Sequence, residues 1–482
     1  MCDYIYDEKK EKHKFNQLKG DFTCPSCNAP KEIFELIDES EETLSDELFQ
    51  NAVVIDNDNT SIERDLSKCV DCGVCKKTCI KREGIDFENN GMLCVNCGQC
   101  LISCPMNSII SKSPIKKIEE ALSSNKIMIA YTAPAVRVSL GEIFKMEPGL
   151  FLQDKLVGLL RMLGFNYVFD TTFGADLTIM EEAKDLLERI KTNKDLPMFT
   201  SCCSSWVKYA EINYPQILKK LSTCKSPIAM QGIMVKEYFS KIKNINKEDI
   251  FTVAITPCTA KKYEIEREEI IGTDAVLTIR ELADIINEKG IEYKNIKKSK
   301  FDKIIGNGSS SGLIFANTGG VSEAVLRTAY YLETGKNIDK KHLEFNDIRG
   351  LENVKETSFK LGNKEINICV INEMSSAIPI LEDVKDNKSK YHFIEIMNCY
   401  GGCIGGGGQP KVLAANERDT KTKRMASIYK KDNKSRVKFS HENKEIKKIY
   451  NDFLDYPLSE KSKELLHTTY FDKSSYKKNA NK

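Results

Sequence analysis

The sequence predicts a multidomain chain, in which a small metal knuckle and a small α+β cysteine-rich domain precede a large α/β domain. The length of 482 residues is enough for two to four domains. Eleven of the eighteen cysteines stand before residue 115, most of them in tight Cys-x-x-Cys spacings. From about residue 120 onward, apolar runs rich in β-formers alternate with amphipathic stretches, a pattern typical of α/β domains.

Composition and charge exclude several classes of function. The amino terminus lacks the apolar core of an export signal, so we expect a reducing, cytoplasmic location in which cysteines bind metal rather than form disulfides. The longest apolar candidate for a membrane span is interrupted by Pro134 and Arg137. Basic and acidic residues nearly balance, at 72 and 70. We therefore expect a soluble protein with neither a membrane nor a nucleic-acid partner.

Changes in composition divide the chain into four segments. Residues 1–37 carry three cysteines and predict an incomplete metal knuckle, and the acidic residues 38–60 predict a linker with one short helix. Residues 61–115 hold eight cysteines in two repeats, so metal must organise their small core. Residues 120–475 form the predicted α/β domain, with strands at 127–131, 167–170, 251–255 and 366–371 and a helix over 177–190.

The two repeats within 61–115 have the spacing of a bacterial ferredoxin that binds two [4Fe–4S] clusters. Each repeat reads Cys-x2-Cys-x2-Cys-x3-Cys, and in this pattern the fourth thiolate crosses to the other cluster. A pair of zinc sites is the alternative. The crossover rule predicts two ligand sets: Cys69, Cys72, Cys75 and Cys104 for one cluster, and Cys94, Cys97, Cys100 and Cys79 for the other.

The amino-terminal segment resembles a shortened rubredoxin. Cys24-Pro25-Ser26-Cys27 matches one knuckle of that family, whereas Cys2 matches only the second cysteine of the other knuckle. Three explanations stay open: a true start upstream, a three-thiolate site with an external ligand, or a relic. The resemblance implies a single iron, and a structural zinc would suit the same residues.

Four further cysteines lie in three distant segments of the α/β domain. Cys203 follows Cys202 directly, Cys258 stands in Pro257-Cys258-Thr259-Ala260-Lys261, and Cys399 and Cys403 flank Tyr400-Gly401-Gly402. These segments resemble the three motifs of the iron-only (FeFe) hydrogenases, and the resemblance extends from about residue 62 to 473. It implies an H-cluster, in which Cys203, Cys258, Cys399 and Cys403 hold a [4Fe–4S] cubane. In that family the last of these cysteines bridges to a two-iron unit that carries CO, cyanide and a dithiolate.

The resemblance also implies roles for residues that bind no metal. Lys261 matches the lysine that hydrogen-bonds a cyanide ligand, and Met397 matches a methionine packed on the two-iron unit. Cys202 matches a proton-relaying thiol. The relay would continue through Glu182, Ser222 and Asp185, the last replacing the usual glutamate. For Glu182 and Asp185, a solvated helix face is the alternative.

Several positions depart from the family pattern without removing a ligand. Ser204 and Ser205 replace a usual Pro-Gly, Tyr400 replaces a common Pro or His, Thr256 replaces a Met, and Ala135 stands where a Ser is frequent. Because such neighbours tune a cluster, we expect a divergent member of the family. Cys224 and Cys369 match no motif, and we expect both to be small buried hydrophobes.

The resemblance implies a ferredoxin hydrogenase that interconverts H2 with protons and electrons. Ferredoxin or a similar soluble carrier would supply electrons through the two [4Fe–4S] clusters, and separate maturation enzymes would install the two-iron unit. Two rival functions remain. One is a hydrogen sensor with low turnover, against which the retained Cys202 argues. The other is an iron–sulfur scaffold without the two-iron unit, against which Lys261, Glu264, Met397 and Cys403 together argue.

Overall fold

The computed structural model describes residues 15, 18, 22–23, 25, 30–31, 50–86, 93–339 and 344–479. The predicted amino-terminal ligands Cys2, Cys24 and Cys27 lie outside these residues. The chain divides into two compact units, 1–48 and 49–482. In the first unit, the Lys31 ammonium donates to the carbonyl of Leu18 at 2.8 Å and lies 5.4 Å from the Phe15 ring centroid.

The cysteine-rich segment is a small α+β structure within the second unit. Its elements are β1 (Ile62–Arg64), α1 (Val74–Thr78), α2 (Gln99–Ser103) and β2 (Ile109–Ser111), and β1 pairs with β2 in antiparallel fashion. Ala52, Val53 and Ile55 are buried in the same small core. The predicted linker 38–60 therefore includes core residues at its end, because these apolar side chains cover the cysteine repeats.

The remaining strands form two four-stranded sheets. The first is parallel with the order β4-β3-β6-β7, and the second has the order β5-β10-β9-β8, in which only the β8–β9 pair is antiparallel. The strands are β3 (Ile127–Thr132), β4 (Tyr167–Asp170), β5 (Met198–Phe199), β6 (Ile250–Thr256), β7 (Ala275–Thr278), β8 (Val354–Leu361), β9 (Lys364–Asn372) and β10 (Phe393–Met397). The four predicted strands are thus confirmed.

Helices pack around the two sheets. They are α3 (Ile115–Leu122), α4 (Leu140–Ile143), α5 (Gln153–Met162), α6 (Thr172–Thr192), α7 (Ser204–Asn213), α8 (Pro227–Met234), α9 (Ser240–Lys243), α10 (Ala260–Glu264), α11 (Ile279–Glu288), α12 (Ser310–Ile314), α13 (Gly320–Thr334), α14 (Met374–Lys385), α15 (Glu417–Lys434), α16 (Lys444–Ile449), α17 (Glu460–Leu466) and α18 (Tyr476–Asn479). No helix within the described residues combines the length and the apolar character that crossing a bilayer requires.

Helix α6 is the centre of the large domain, packed against α8, α12 and α13. The predicted helix over 177–190 is therefore confirmed, although it begins five residues earlier, at Thr172. Glycines permit the close packing at its amino-terminal end, because a Cβ on Gly308 or Gly312 would lie within 2.5 Å of Thr172. Gly308 and Gly312 therefore contact the amino-terminal end of α6 directly.

Candidate active site

The three distant cysteine segments each follow a parallel strand at its carboxyl end. Cys202 and Cys203 come after β5, Cys258 after β6, and Cys399 after β10. In open α/β sheets, the loops that leave the carboxyl ends of parallel strands form the ligand site. Since β6 belongs to the first sheet and β5 and β10 to the second, the segments meet between the sheets.

These segments line one partly open cavity, with about 820 Å³ of empty space that includes solvent at its mouth. All four predicted cubane ligands line it, together with the predicted relay thiol, the predicted cyanide-binding lysine and the predicted methionine. The residues concerned are Cys203, Cys258, Cys399, Cys403, Cys202, Lys261 and Met397. Residues separated by two hundred positions in sequence therefore converge as the resemblance predicts.

The cavity wall suits a large inorganic group. A Cβ on Gly402 would lie 2.6 Å from the Thr318 amide nitrogen, and a Cβ on Gly406 would lie 2.3 Å from the Pro257 carbonyl. Only glycine allows the backbone to approach so closely at these two positions, and Gly402 also has a φ of +86°. Four convergent thiols, which are soft ligands, around such a volume fit an iron–sulfur cluster.

A fixed ammonium group and a neutral thiol meet at one side of this cavity. The Lys261 ammonium donates to Glu264 at 2.7 Å and to the Cys202 carbonyl at 3.0 Å, and both charged side chains are about 9% exposed. Burial raises the pKa of the Cys202 thiol well above its usual value, with Glu182 adding to the effect. The thiol is therefore protonated at neutral pH and able to donate.

The inner part of the predicted relay lies in the protein interior. Glu182 and Ser222 are both fully buried, so the alternative of a solvated helix face is wrong for Glu182. Burial raises the pKa of Glu182 to about 8, and the nearby Ser222 hydroxyl opposes this rise. Among the described residues, neither carboxyl oxygen of Glu182 has a hydrogen-bond partner of good geometry.

Asp185 occupies the outer end of the same helix face. Its carboxylate accepts hydrogen bonds from the Arg189 Nε at 3.0 and 3.1 Å, and the side chain is 19% exposed. Arg189 also donates to the carbonyls of Lys220 and Leu221, both at 3.1 Å, which fixes the pair beside the segment that carries Ser222. Asp185 is thus placed between the buried carboxyl of Glu182 and the solvent.

The residues that depart from the family pattern fall into two groups. The first group lines the cavity and comprises Ala135, Thr256, Ser204 and Ser205. The Thr256 hydroxyl donates to the Cys258 carbonyl at 3.0 Å and accepts from the Cys258 amide at 3.2 Å. The Ser204 hydroxyl is buried without a hydrogen-bond partner among the described residues. Tyr400 is outside the cavity lining. Its ring instead lies 4.7 Å from the Lys421 ammonium.

The ferredoxin-like cysteines form a second, smaller site. Cys79, Cys94, Cys97 and Cys100 line one cavity of about 340 Å³, the set that the crossover rule predicts. Of the other set, Cys104 lies near Cys75, whose pKa it raises slightly beyond the effect of burial. Cys72 of that set is exposed at the surface. Cys224 and Cys369 are fully buried, as expected of hydrophobes.

The two cavities are separated by a tight backbone contact. A Cβ on Gly407 would lie 2.2 Å from the Cys97 carbonyl, and a Cβ on Gly98 would lie 2.6 Å from the Thr259 hydroxyl. The Thr259 hydroxyl donates to the Asn96 carbonyl at 2.7 Å. The backbone contacts between residues 96–98 and residues 259 and 407 therefore form a shared wall, and the two cysteine sites lie on either side of it.

Sequence reasoning missed several buried polar groups beside these sites. Glu83 lines the smaller cavity at 1% exposure, and burial raises its pKa to about 8. Asn398 lines the larger cavity, also at 1% exposure. The only signal in the sequence was position, since Glu83 follows Cys79 by four residues and Asn398 directly precedes Cys399.

Comparisons with known proteins agree with this geometry. Residues 126–407, more than half of the chain, match the model of the iron only hydrogenase large subunit, C-terminal domain. Residues 418–473 match the iron hydrogenase small subunit. The fold and site define an iron–sulfur protein with a buried four-thiol cavity. The chain belongs to the iron-only hydrogenase family.

Individual relatives support this assignment. The chain is 36% identical to iron hydrogenase 1 of Clostridium pasteurianum over 96% of its own length and 86% of the relative's. It is 39% identical to the NADP-reducing hydrogenase subunit HndD of Solidesulfovibrio fructosivorans, over 86% and 75%. Among solved structures, apo [FeFe]-hydrogenase HydA1 of Chlamydomonas reinhardtii is 35% identical, with a TM-score of 0.67 over 75% of this chain and 99% of that one.

More distant relatives include one that is named as an assembly factor. The chain is 27% identical to protein NAR1 of Arabidopsis thaliana and 28% identical to the cytosolic Fe-S cluster assembly factor narfl of Xenopus tropicalis. They cover 75% and 72% of this chain. Membership of the family implies the H-cluster and iron–sulfur clusters as cofactors, and the thiol-lined cavities fit such groups.

Proposed function

We propose that this protein is a hydrogenase that interconverts H2 with protons and electrons. The observation that carries the proposal is the single cavity lined by four convergent thiols, a neutral thiol at Cys202 and a fixed ammonium at Lys261. A purely structural cluster needs neither of the last two groups. The same cavity favours turnover over hydrogen sensing, because the relay thiol is retained.

Four cysteines would hold the cubane, and the remaining residues would hold the two-iron unit. Cys203, Cys258, Cys399 and Cys403 would supply the thiolates, and Cys403 would also join the cubane to the two-iron unit. The Lys261 ammonium would donate to a cyanide, a charge-assisted hydrogen bond in a water-poor site. When bound, the two-iron unit supplies the redox chemistry of H2.

The chain itself supplies a route for protons. The Cys202 thiol holds a proton at the cavity, because burial keeps its pKa high. Glu182 exchanges that proton with Ser222, and Asp185 passes it to solvent from its partly exposed position. A water molecule would complete the Glu182 step, since the carboxyl oxygens are unpartnered among the described residues.

Electrons would enter at the exposed cysteine and end at the larger cavity. Cys69, Cys72, Cys75 and Cys104 would hold the outer cluster, and Cys79, Cys94, Cys97 and Cys100 the inner one. The partner we propose is ferredoxin or a similar acidic carrier, because Lys68, Lys77 and Lys81 are exposed in the stretch that contains Cys72. In this proposal, residues 61–115 carry the electrons inward, and residues 120–475 hold the cavity where H2 reacts.

Infrared spectroscopy and protein-film voltammetry test the proposal together. After co-expression with hydrogenase maturation enzymes, we expect infrared bands of CO and cyanide and a catalytic current that responds to H2. Bands without a current would contradict hydrogenase activity. An iron–sulfur protein with neither bands nor current would instead support the assembly role that the NAR1-like relatives suggest.

Hydrogen evolution is expected to fall as the pH rises through about 8. The raised pKa of Glu182 keeps its carboxyl neutral below that value, where it can both accept and donate a proton. Above it, the group ionises and can no longer donate to Cys202. Protein-film voltammetry across this pH range measures the effect. In the matched variant Glu182→Gln the current should be low throughout and the inflection absent; an inflection that survives this substitution would rule out Glu182 as its source.

Reversing two surface charges is expected to weaken the use of an acidic ferredoxin. The double variant Lys77→Glu/Lys81→Glu should raise the KM for ferredoxin several-fold at low salt, with a smaller effect as ionic strength screens the charges. Activity with a viologen dye should stay near wild type. The control Lys336→Glu changes an exposed lysine outside residues 61–115. Equal KM values for the double variant and the control would contradict docking at this surface.

A further inference from the structure

A partly buried triad of charges lies between the ferredoxin-like segment and the large domain. Arg82 donates to both carboxylate oxygens of Glu417, at 2.8 and 2.6 Å, and the Lys421 ammonium donates to one of them at 2.7 Å. Arg82 directly precedes Glu83, which lines the smaller cavity. Glu417 and Lys421 lie one turn apart at the start of α15. The triad therefore runs from the ferredoxin-like segment to the large domain.

The Lys421 end of this triad is packed against the loop between two predicted cubane ligands. Its side chain is 7% exposed, and its ammonium lies 4.7 Å from the Tyr400 ring centroid. A Cβ on Gly405 would lie 2.8 Å from the Lys421 nitrogen. Burial lowers the pKa of Lys421, whereas Glu417 and, more weakly, Cys399 oppose this shift. The cation is thus held beside the loop that joins Cys399 to Cys403.

A fixed charge at this place has a predictable electrostatic effect. A charge in the interior acts over a lower dielectric constant than one in water, so its influence on a nearby cluster is large. A reduced cluster carries one more negative charge than its oxidised form. A neighbouring cation stabilises the reduced form and raises the reduction potential, and a neighbouring carboxylate lowers it.

We propose that Lys421 is a positioning residue that raises the reduction potential of the cubane held by Cys399 and Cys403. It acts through the loop and through Tyr400, and Glu417 limits its effect by sharing its charge between Lys421 and Arg82. The inference rests on the proposed function in one respect, namely that these cysteines hold the cubane. It predicts opposite effects for the two members of one ion pair.

Infrared spectroelectrochemistry of the full-length, maturated enzyme tests this proposal, because the CO and cyanide bands report the redox state of the attached cubane. Lys421→Met should shift the reduction potential to more negative values, and Glu417→Gln should shift it to more positive values. Lys421→Arg should stay near wild type, since it keeps the charge. Lys423→Met is the matched control, because Lys423 is on the same helix but 45% exposed and paired with Asp419.

The outcomes separate this inference from the proposed function. Wild-type bands with unchanged potentials in both Lys421→Met and Glu417→Gln would overturn the inference and leave the hydrogenase proposal intact. A shift of both variants in the same direction would also overturn it. If Lys421→Met fails to hold its clusters, the sign of the shift in Glu417→Gln decides. Absence of CO and cyanide bands from the wild type would contradict the proposed function itself.

Discussion

Replacing Cys202 by alanine is expected to lower hydrogen turnover by about 10²–10⁴-fold, the usual contribution of a positioned acid–base group. The thiol lines the cavity and holds its proton because burial raises its pKa. It binds no iron in the proposed assignment, so the clusters should stay in place. Turnover by protein-film voltammetry and cofactor loading by infrared spectroscopy measure the two effects separately.

Two further variants test whether the loss of turnover comes from the acidity of the Cys202 thiol. Cys202→Ser keeps a hydrogen-bonding group of similar size but a much weaker acid, so it should also be slow. Cys369→Ala removes another buried thiol that is absent from the cavity lining, and its turnover should stay near wild type. Turnover of Cys202→Ala within a few-fold of wild type would eliminate Cys202 as the relay and would favour a route that bypasses Glu182.

Replacing Cys403 by alanine is expected to abolish turnover by removing the two-iron unit. Cys403 lines the cavity with three other thiols, and in the proposed assignment its sulfur joins the cubane to the two-iron unit. Among the described residues that line the cavity, Cys202 is the one thiol that is not itself a proposed ligand. It directly precedes the ligand Cys203, so we do not expect it to take the place of Cys403. We expect no CO or cyanide bands and a loss of iron, whereas the ferredoxin-like clusters keep their own ligands.

The control for this variant is another buried cysteine. Cys369 lies in β9 and is fully buried, but it does not line the cavity. Cys369→Ala removes one sulfur atom from a packed core and should keep both the bands and the current. Iron analysis, infrared spectra and electron paramagnetic resonance compare the two variants. Full cofactor loading of Cys403→Ala would refute the proposed ligand set.

Local spacing was sufficient to predict the ferredoxin-like thiol sites, whereas the four distant cysteines of the large domain were assigned by the family resemblance. Cysteines two or three residues apart must lie close together, so the ferredoxin-like repeats predict their own clusters without knowledge of the fold. The crossover of Cys79 follows from the same pattern, and the structure places it with Cys94, Cys97 and Cys100. Four of the eight strands in the two sheets, β3, β4, β6 and β9, were predicted as well, because buried strands are apolar runs.

Burial of polar residues was not predictable in the same way. Helix α6 carries Glu181, Glu182 and Asp185 within one turn, and the sequence allows all three to face solvent. The structure buries the first two fully and leaves Asp185 partly exposed. The Glu181 carboxylate accepts hydrogen bonds from the Tyr450 hydroxyl at 2.6 Å and from the Leu458 amide at 2.7 Å, so a carboxyl-terminal segment covers it. Such covering depends on contacts between distant segments.

By itself, the sequence determined which family the chain resembles and, through short Cys-x-x-Cys spacing, which thiols form the ferredoxin-like repeats; the resemblance implied the four distant ligands. Only the tertiary structure decided what surrounds those clusters. It brought Lys421, paired with Glu417, beside the loop from Cys399 to Cys403, and it placed Tyr400 outside the cavity lining. Charge effects depend on distance and burial, and long-range packing sets both.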